Sequence, residues 1–263
     1  MKLTKIVALS AIALGAVQAV PASALTINLV NIGGVEDDTD YYIGFKTAAL
    51  YWESVIANDV TVNLRVGMAN LGATTLGQAS SSGVTYTAGA YKSALTAAAT
   101  TAADLGVVAN LGDMTRGTYR TYNALGKALG LYSNPNTSDA TIQFNTEFAW
   151  DFDTSDGFSE VSSDFIGVAI HEIGHALGWA SGVVQSGGGT AANTDVLRYQ
   201  DGNWSMAWGG SPYLSVDGGD TQIFGRSWMS TGADGRQTSH WKDGARIHDG
   251  INCTILLEPQ IGI

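Results

Sequence analysis

Two histidines four residues apart, set in an otherwise apolar stretch, constrain this 263-residue chain more than any other feature. Residues 171–175 read His-Glu-Ile-Gly-His, within a run from Phe165 to Leu177 whose other side chains are almost all apolar. A helix places positions i and i+4 one turn above each other, so His171 and His175 leave the same face, with Glu172 about 100° round from it. Burying two imidazoles and a carboxylate in an apolar helix is costly unless a cation accompanies them. In a chain with this few His and Glu residues, the pattern has a chance expectation of roughly one in a thousand. The spacing is that of a zinc peptidase: two imidazole ligands and a carboxylate able to reach a water on the ion. A pair of buried, hydrogen-bonded histidines without metal is the weaker reading.

A catalytic zinc takes three protein ligands and leaves a position open for water. Gly178 stands where the compact pattern HExxHxxGxxH has its glycine, but position 181 is Ser181, a poor zinc ligand. After Glu172 the only glutamate is Glu258, in a turn-like Leu-Glu-Pro segment. His240, His248 and the downstream aspartates, Asp195 nearest, complete the candidates. Residue types alone leave that choice open.

The surrounding pattern is that of a folded α/β chain. At 45% hydrophobic and 14% charged it can bury a core, and its single cysteine, Cys253, closes no internal disulfide. Lys2 and Lys5, an apolar run from Ile6 to Val20 and Ala22-Ser23-Ala24 read as a cleavable export signal over residues 1–24, too short and interrupted to span a membrane. No later segment is apolar enough to span. The formal charge of −11 argues against nucleic-acid or anionic-membrane partners.

Alternation predicts strands over 26–31, 60–66 and 141–148, and three- and four-residue spacing predicts helices over 43–57, 91–103, 119–129 and 165–177. Ser162-Ser163-Asp164 should cap the last of these and Gly178 should end it. Residues 71–88, rich in Gly, Ser and Thr, read as a loop. Turn residues dominate the last third, where Asp217-Gly218-Gly219-Asp220 suggests a hairpin joining 213–216 to 221–224. With no repeat or Pro-rich linker, residues 25–263 are expected to form one catalytic domain. Its regular amino-terminal part runs to about 178 and its irregular part from 179.

Beyond these patterns, the chain resembles a bacterial family of exported, metzincin-like zinc metalloproteases that often carry a PEP-CTERM sorting tail. The resemblance rests on HEIGHALGWASGV at 171–183, DVLRYQDG at 195–202, YLSVDGG at 213–219 and SHWKDG at 239–244. The Gly178 turn, the long insertion and Ser239-His240-Trp241-Lys242 also look like the leishmanolysin branch, whose third histidine arrives late. The resemblance implies a metzincin/zincin-like α+β fold: a twisted mixed sheet, backing helices, an active-site helix and an irregular carboxy-terminal subdomain. It implies zinc on His171, His175 and His240, with Glu172 as the catalytic carboxylate. It departs from the pattern in having no Met after His240, where Leu257 stands as the counterpart, and in ending at Ile263, short of the family's last helix and sorting tail.

The function expected from this reading is exported zinc-dependent endopeptidase activity on protein or peptide substrates, secreted or extracytoplasmic after signal removal. The rival is a non-catalytic surface or matrix protein with a structural zinc site, and a third reading is a zinc hydrolase acting on a non-peptide substrate. Asp151, Asp153 and Asp156 beside Gly157 could hold calcium, although a solvated acidic loop explains them better. Tyr199 is a candidate oxyanion donor against a reading as packing. Trp204, Trp208, Trp228 and Trp241 form a candidate binding face against a reading as core. His248 is the reserve third ligand. The sequence does not specify an oligomeric state.

Overall fold

Alternating Val60, Val62, Leu64 and Val66 form the centre of the sheet on which the site is built. The computed structural model describes residues 25–111, 117–153, 155, 157, 161–223 and 229–242. The expected export signal, Asp156, Trp228, His248, Cys253, Leu257 and Glu258 lie outside them. In chain order the first elements are β1 (Leu25–Asn31), α1 (Asp40–Val55), β2 (Val60–Ala69), β3 (Gly77–Ser81), β4 (Gly83–Thr87), α2 (Ala88–Ala98) and α3 (Ala102–Ala109). Then follow β5 (Thr118–Tyr122), α4 (Asn123–Ala128), β6 (Ala140–Asn145), β7 (Trp150–Asp151), β8 (Ser163–Asp164) and α5 (Phe165–Leu177). A 3₁₀ turn at Asn193–Leu197 leads to β9 (Arg198–Gln200), β10 (Asn203–Trp204) and β11 (Tyr213–Leu214).

The main sheet is mixed, in the order β1-β2-β6-β3. β1 and β6 run parallel to β2, while β3 is antiparallel to β6 and forms an edge. Helices α1 and α5 cover one face. Phe45, Ala48, Ala49 and Trp52 of α1 and Phe165, Val168, Ala169, Ile173 and Ala176 of α5 are buried with Val62, Leu64, Val66, Ile142 and Phe144. The Trp52 Nε1–H donates to the Ile170 carbonyl at 2.9 Å, tying the helices together. A Cβ on Gly44 would overlap the Phe165 ring, so only glycine lets α1 approach α5 this closely. A second core joins Tyr91, Tyr119, Leu129, Trp179, Val196, Leu197, Leu214, Met229 and Trp241. Among the described residues no helix is long and apolar enough to cross a membrane.

Four segments depart from the sequence expectation. Residues 71–88 contain β3 and β4 rather than a loop alone, because main-chain pairing of β3 to β6 and of β4 to β5 needs no apolar pattern. The helix expected over 91–103 is broken at Ala99, and Thr101 and Asp104 form a capping box that starts α3 anew. The helix expected over 119–129 is a strand and then a short helix, since Tyr119 and Thr121 favour a pleated, half-buried surface. Among the described residues no pairing joins 213–216 to 221–223 as the expected hairpin would, and Phe224 lies outside them. β11 pairs with β9 instead, and Ser215 and Asp217 close the next loop by a 2.6 Å side-chain hydrogen bond.

Candidate metal centre

Helix α5 begins and ends where its sequence says it should. The Asp164 carboxylate accepts the Gly167 N–H at 2.9 Å as N-cap, and Gly178 leaves the helix with φ +119°, a conformation strained for any residue with a Cβ. The last turns carry His171 and His175 side by side, with their Nε2 atoms 3.1 Å apart. His240 arrives from the irregular half and sets its Nε2 2.8 Å from that of His175. Among the described residues this trio is the only group of three or more potential ligands gathered closely enough to hold a metal ion, its ligand atoms lying within 4.8 Å of one another.

Protonation favours a metal at this point. Burial, reinforced by repulsion from His175 and His240, holds His171 down at about 2. Burial lowers His240 to about 4, helped by His175 and Arg236, and burial also lowers His175. All three imidazoles are therefore neutral around pH 7, the form that coordinates metals. The Trp179 carbonyl lies 2.7 Å from His175 Nδ1, which places the proton there and leaves the Nε2 lone pair facing the other two rings. Four-coordinate zinc holds imidazole nitrogens about 3.3 Å apart, within about half an ångström of the two spacings to His175. The donor set fits a divalent transition metal, although imidazoles alone do not select zinc over copper, iron or nickel.

Glu172 lies beside the trio and is 7% exposed. Burial raises it to about 7, opposed by the backbone N–H of Ala79 on β3. A dication at the histidines acts in the same direction as that N–H, favouring the carboxylate. Glu172 and the three histidines line a cleft of about 480 Å³, together with β3, Arg120 and Tyr122 of β5, and Gln237. Among the described residues no fourth ligand closes the group, as a structural zinc site would require.

The route that delivers His240 depends on buried polar side chains. Arg198, 1% exposed, donates to the Thr238 carbonyl at 3.1 Å and the Ser230 carbonyl at 3.2 Å, and the Ser230 N–H donates to the His240 carbonyl at 2.8 Å. The Trp179 Nε1–H holds the Ser239 carbonyl at 2.7 Å, linking the chain just after α5 to the residue before His240. Asp195 fastens the Ser181–Gly182 turn, accepting from Ser181 Oγ and the Gly182 N–H, both at 2.6 Å. Asp195 is therefore a brace and not a metal ligand, and Ser181, at the third-ligand position of the compact pattern, serves the same brace. The sequence reading did not single out Arg198. Its signal was an arginine three residues after an aspartate in an otherwise apolar segment.

Other candidates settle as packing or loop structure. The Tyr199 hydroxyl donates to the Asn110 carbonyl at 3.0 Å and its side chain is buried, so it packs rather than serving an oxyanion. Trp204 Nε1–H donates to the Asp195 carbonyl at 2.7 Å and Trp241 is buried, whereas Trp208 borders a cavity next to the cleft. Asp151 and Asp153 accept hydrogen bonds from their own loop, at the Asp153 N–H and at Ser155. Compared with known protein families, curated proteins and solved structures, this chain matches none.

Proposed function

We propose that the chain is an exported zinc-dependent endopeptidase with a metzincin-like fold, its zinc held by His171, His175 and His240. The observation that carries this reading is the convergence of three imidazoles in the lining of an open cleft, with one buried carboxylate, Glu172, beside them. When bound, the ion supplies Lewis acidity toward a water and a substrate carbonyl oxygen. Glu172 takes a proton from the attacking water on its carboxylate and returns it to the departing amine. Edge strand β3 lines the same cleft and offers main-chain groups with which an extended peptide can pair.

Metal content and casein hydrolysis, measured together on wild type and Glu172→Ala, test this reading. The expected result is about one zinc per chain in both proteins, with hydrolysis lowered at least about a thousandfold in the variant. Equal hydrolysis by both proteins removes Glu172 from the mechanism. Zinc in both with hydrolysis in neither supports the non-catalytic surface-protein reading instead.

A further inference from the structure

The strand β5 has two faces with different duties. Its alternation buries Tyr119 and Thr121 and turns Arg120 and Tyr122 the other way, into the lining of the cleft that holds the histidines and Glu172. Among the described residues Arg120 is the only Lys or Arg lining that cleft, and no carboxylate pairs with it. Its guanidinium carbon lies 5.3 Å from the centre of the Tyr122 ring. That stacking restricts the side chain, so little freedom remains to be lost when its planar fork meets a carboxylate. The main chain is fixed as well, since the Arg120 N–H donates to the Ala191 carbonyl at 2.8 Å, anchoring β5 to the irregular half.

The charge balance of the molecule makes this placement informative. The chain carries 24 acidic against 13 basic residues, yet among the described residues Glu172 is the only carboxylate lining the cleft. The adjoining cavity of about 420 Å³ shares Ser181, Gln237 and Ser239 with the cleft and carries a second cation, Arg236. A bound dication would add to the same sign. Arg120 is therefore a cation facing a site with a single carboxylate on an otherwise acidic protein, a placement that favours anionic ligands over cationic ones.

We infer that Arg120 is a specificity-determining residue that binds an acidic side chain of the peptide lying in the cleft. The assignment of a peptide ligand rests on the endopeptidase reading, while carboxylate binding by Arg120 can be measured without hydrolysis. The bidentate geometry of guanidinium and carboxylate favours Glu or Asp over their amides, and repulsion disfavours Lys.

The test uses zinc-loaded Glu172→Ala and a short Ala-Leu peptide carrying one Glu, Gln or Lys, moved along the peptide in turn. Binding is read from tryptophan fluorescence, Trp179 being part of the cleft lining. At the best position, Glu should bind about three- to tenfold tighter than Gln, because the pair is only partly shielded from water. Adding Arg120→Ala should bring that ratio to about one, and Arg120→Glu should reverse the preference toward Lys. Equal affinity for Glu and Gln at every position overturns the inference. A preference surviving Arg120→Ala also overturns it, by assigning the carboxylate to the metal instead. Hydrolysis by the wild type is scored separately: selective binding without hydrolysis supports the Arg120 assignment and removes the peptidase reading.

Discussion

Around the sheet, side chains meet as apolar surface, whereas beyond Gly178 the main chain is held by buried polar side chains. In the first region Phe45, Phe144, Trp150 and Phe165 pack ring against ring, with centroids 4.7–5.3 Å apart, in regular elements. In the second, strands are only two or three residues long, and Asp195, Arg198, Ser215 and Ser230 satisfy the carbonyls and N–H groups that short strands leave over. Apolar packing is non-directional and tolerates adjustment, while each buried polar side chain serves specific atoms and cannot be replaced by shape alone. The candidate metal spans the difference, with two ligands from the first region and one from the second.

The largest effect is expected where the first region is most densely packed. Phe165 is fully buried and touches the rings of Tyr41, Phe45, Phe144, Trp150 and Phe152. Phe165→Ala should cost about 3–5 kcal/mol by transfer and cavity terms together, measured by urea unfolding of the zinc-loaded protein. Because α5 carries two of the three histidines, metal and global stability should fall together. A loss under about 1 kcal/mol would mean that the aromatic cluster collapses around the gap and is not the main support of helix α5.

The same contrast explains what could be read in advance. Helix α5 was legible to its ends because its composition, its Asp164 cap and its Gly178 terminus all agree. Strands β1, β2 and β6 were legible because one face is buried and the other is not. Strands β3 and β4 were not, since their stability comes from main-chain pairing that leaves no mark on Gly, Ser and Thr side chains. His171, Glu172 and His175 followed from local spacing. His240 was reached by resemblance, because 65 residues separate it from its neighbour and the braces that carry it form only in the folded chain. Arg120 escaped notice for a related reason: on paper it is a lone charge in a strand, and its place in the cleft depends on tertiary packing.

Arg198→Met separates the regions. Methionine keeps much of the volume but donates nothing to the Thr238 and Ser230 carbonyls, so the expected loss is about 2–3 kcal/mol. The loss should be uneven. Amides of α5 and β2 should keep their protection in hydrogen exchange, those of residues 229–242 should exchange faster, and zinc should bind at least about tenfold more weakly as His240 loses its support. Undiminished zinc affinity would show that Trp179 and Ser181 suffice to place His240, and would make Arg198 a stability residue only.

The smallest effect should come from the far end of helix α5. Asp164 satisfies the Gly167 N–H and adds negative charge at the helix start, so Asp164→Ala should cost about 1 kcal/mol. The histidines lie near the other end, and α5 is buried along Phe165, Val168, Ala169 and Ile173 by contacts that do not involve the cap. A frayed first turn therefore leaves the positions of His171 and His175 unaltered. Urea unfolding should register the change while zinc affinity stays within about twofold. A concurrent loss of zinc would show that α5 shifts as a rigid rod from its first turn, and that the packed region is less forgiving of polar changes than its apolar contacts imply.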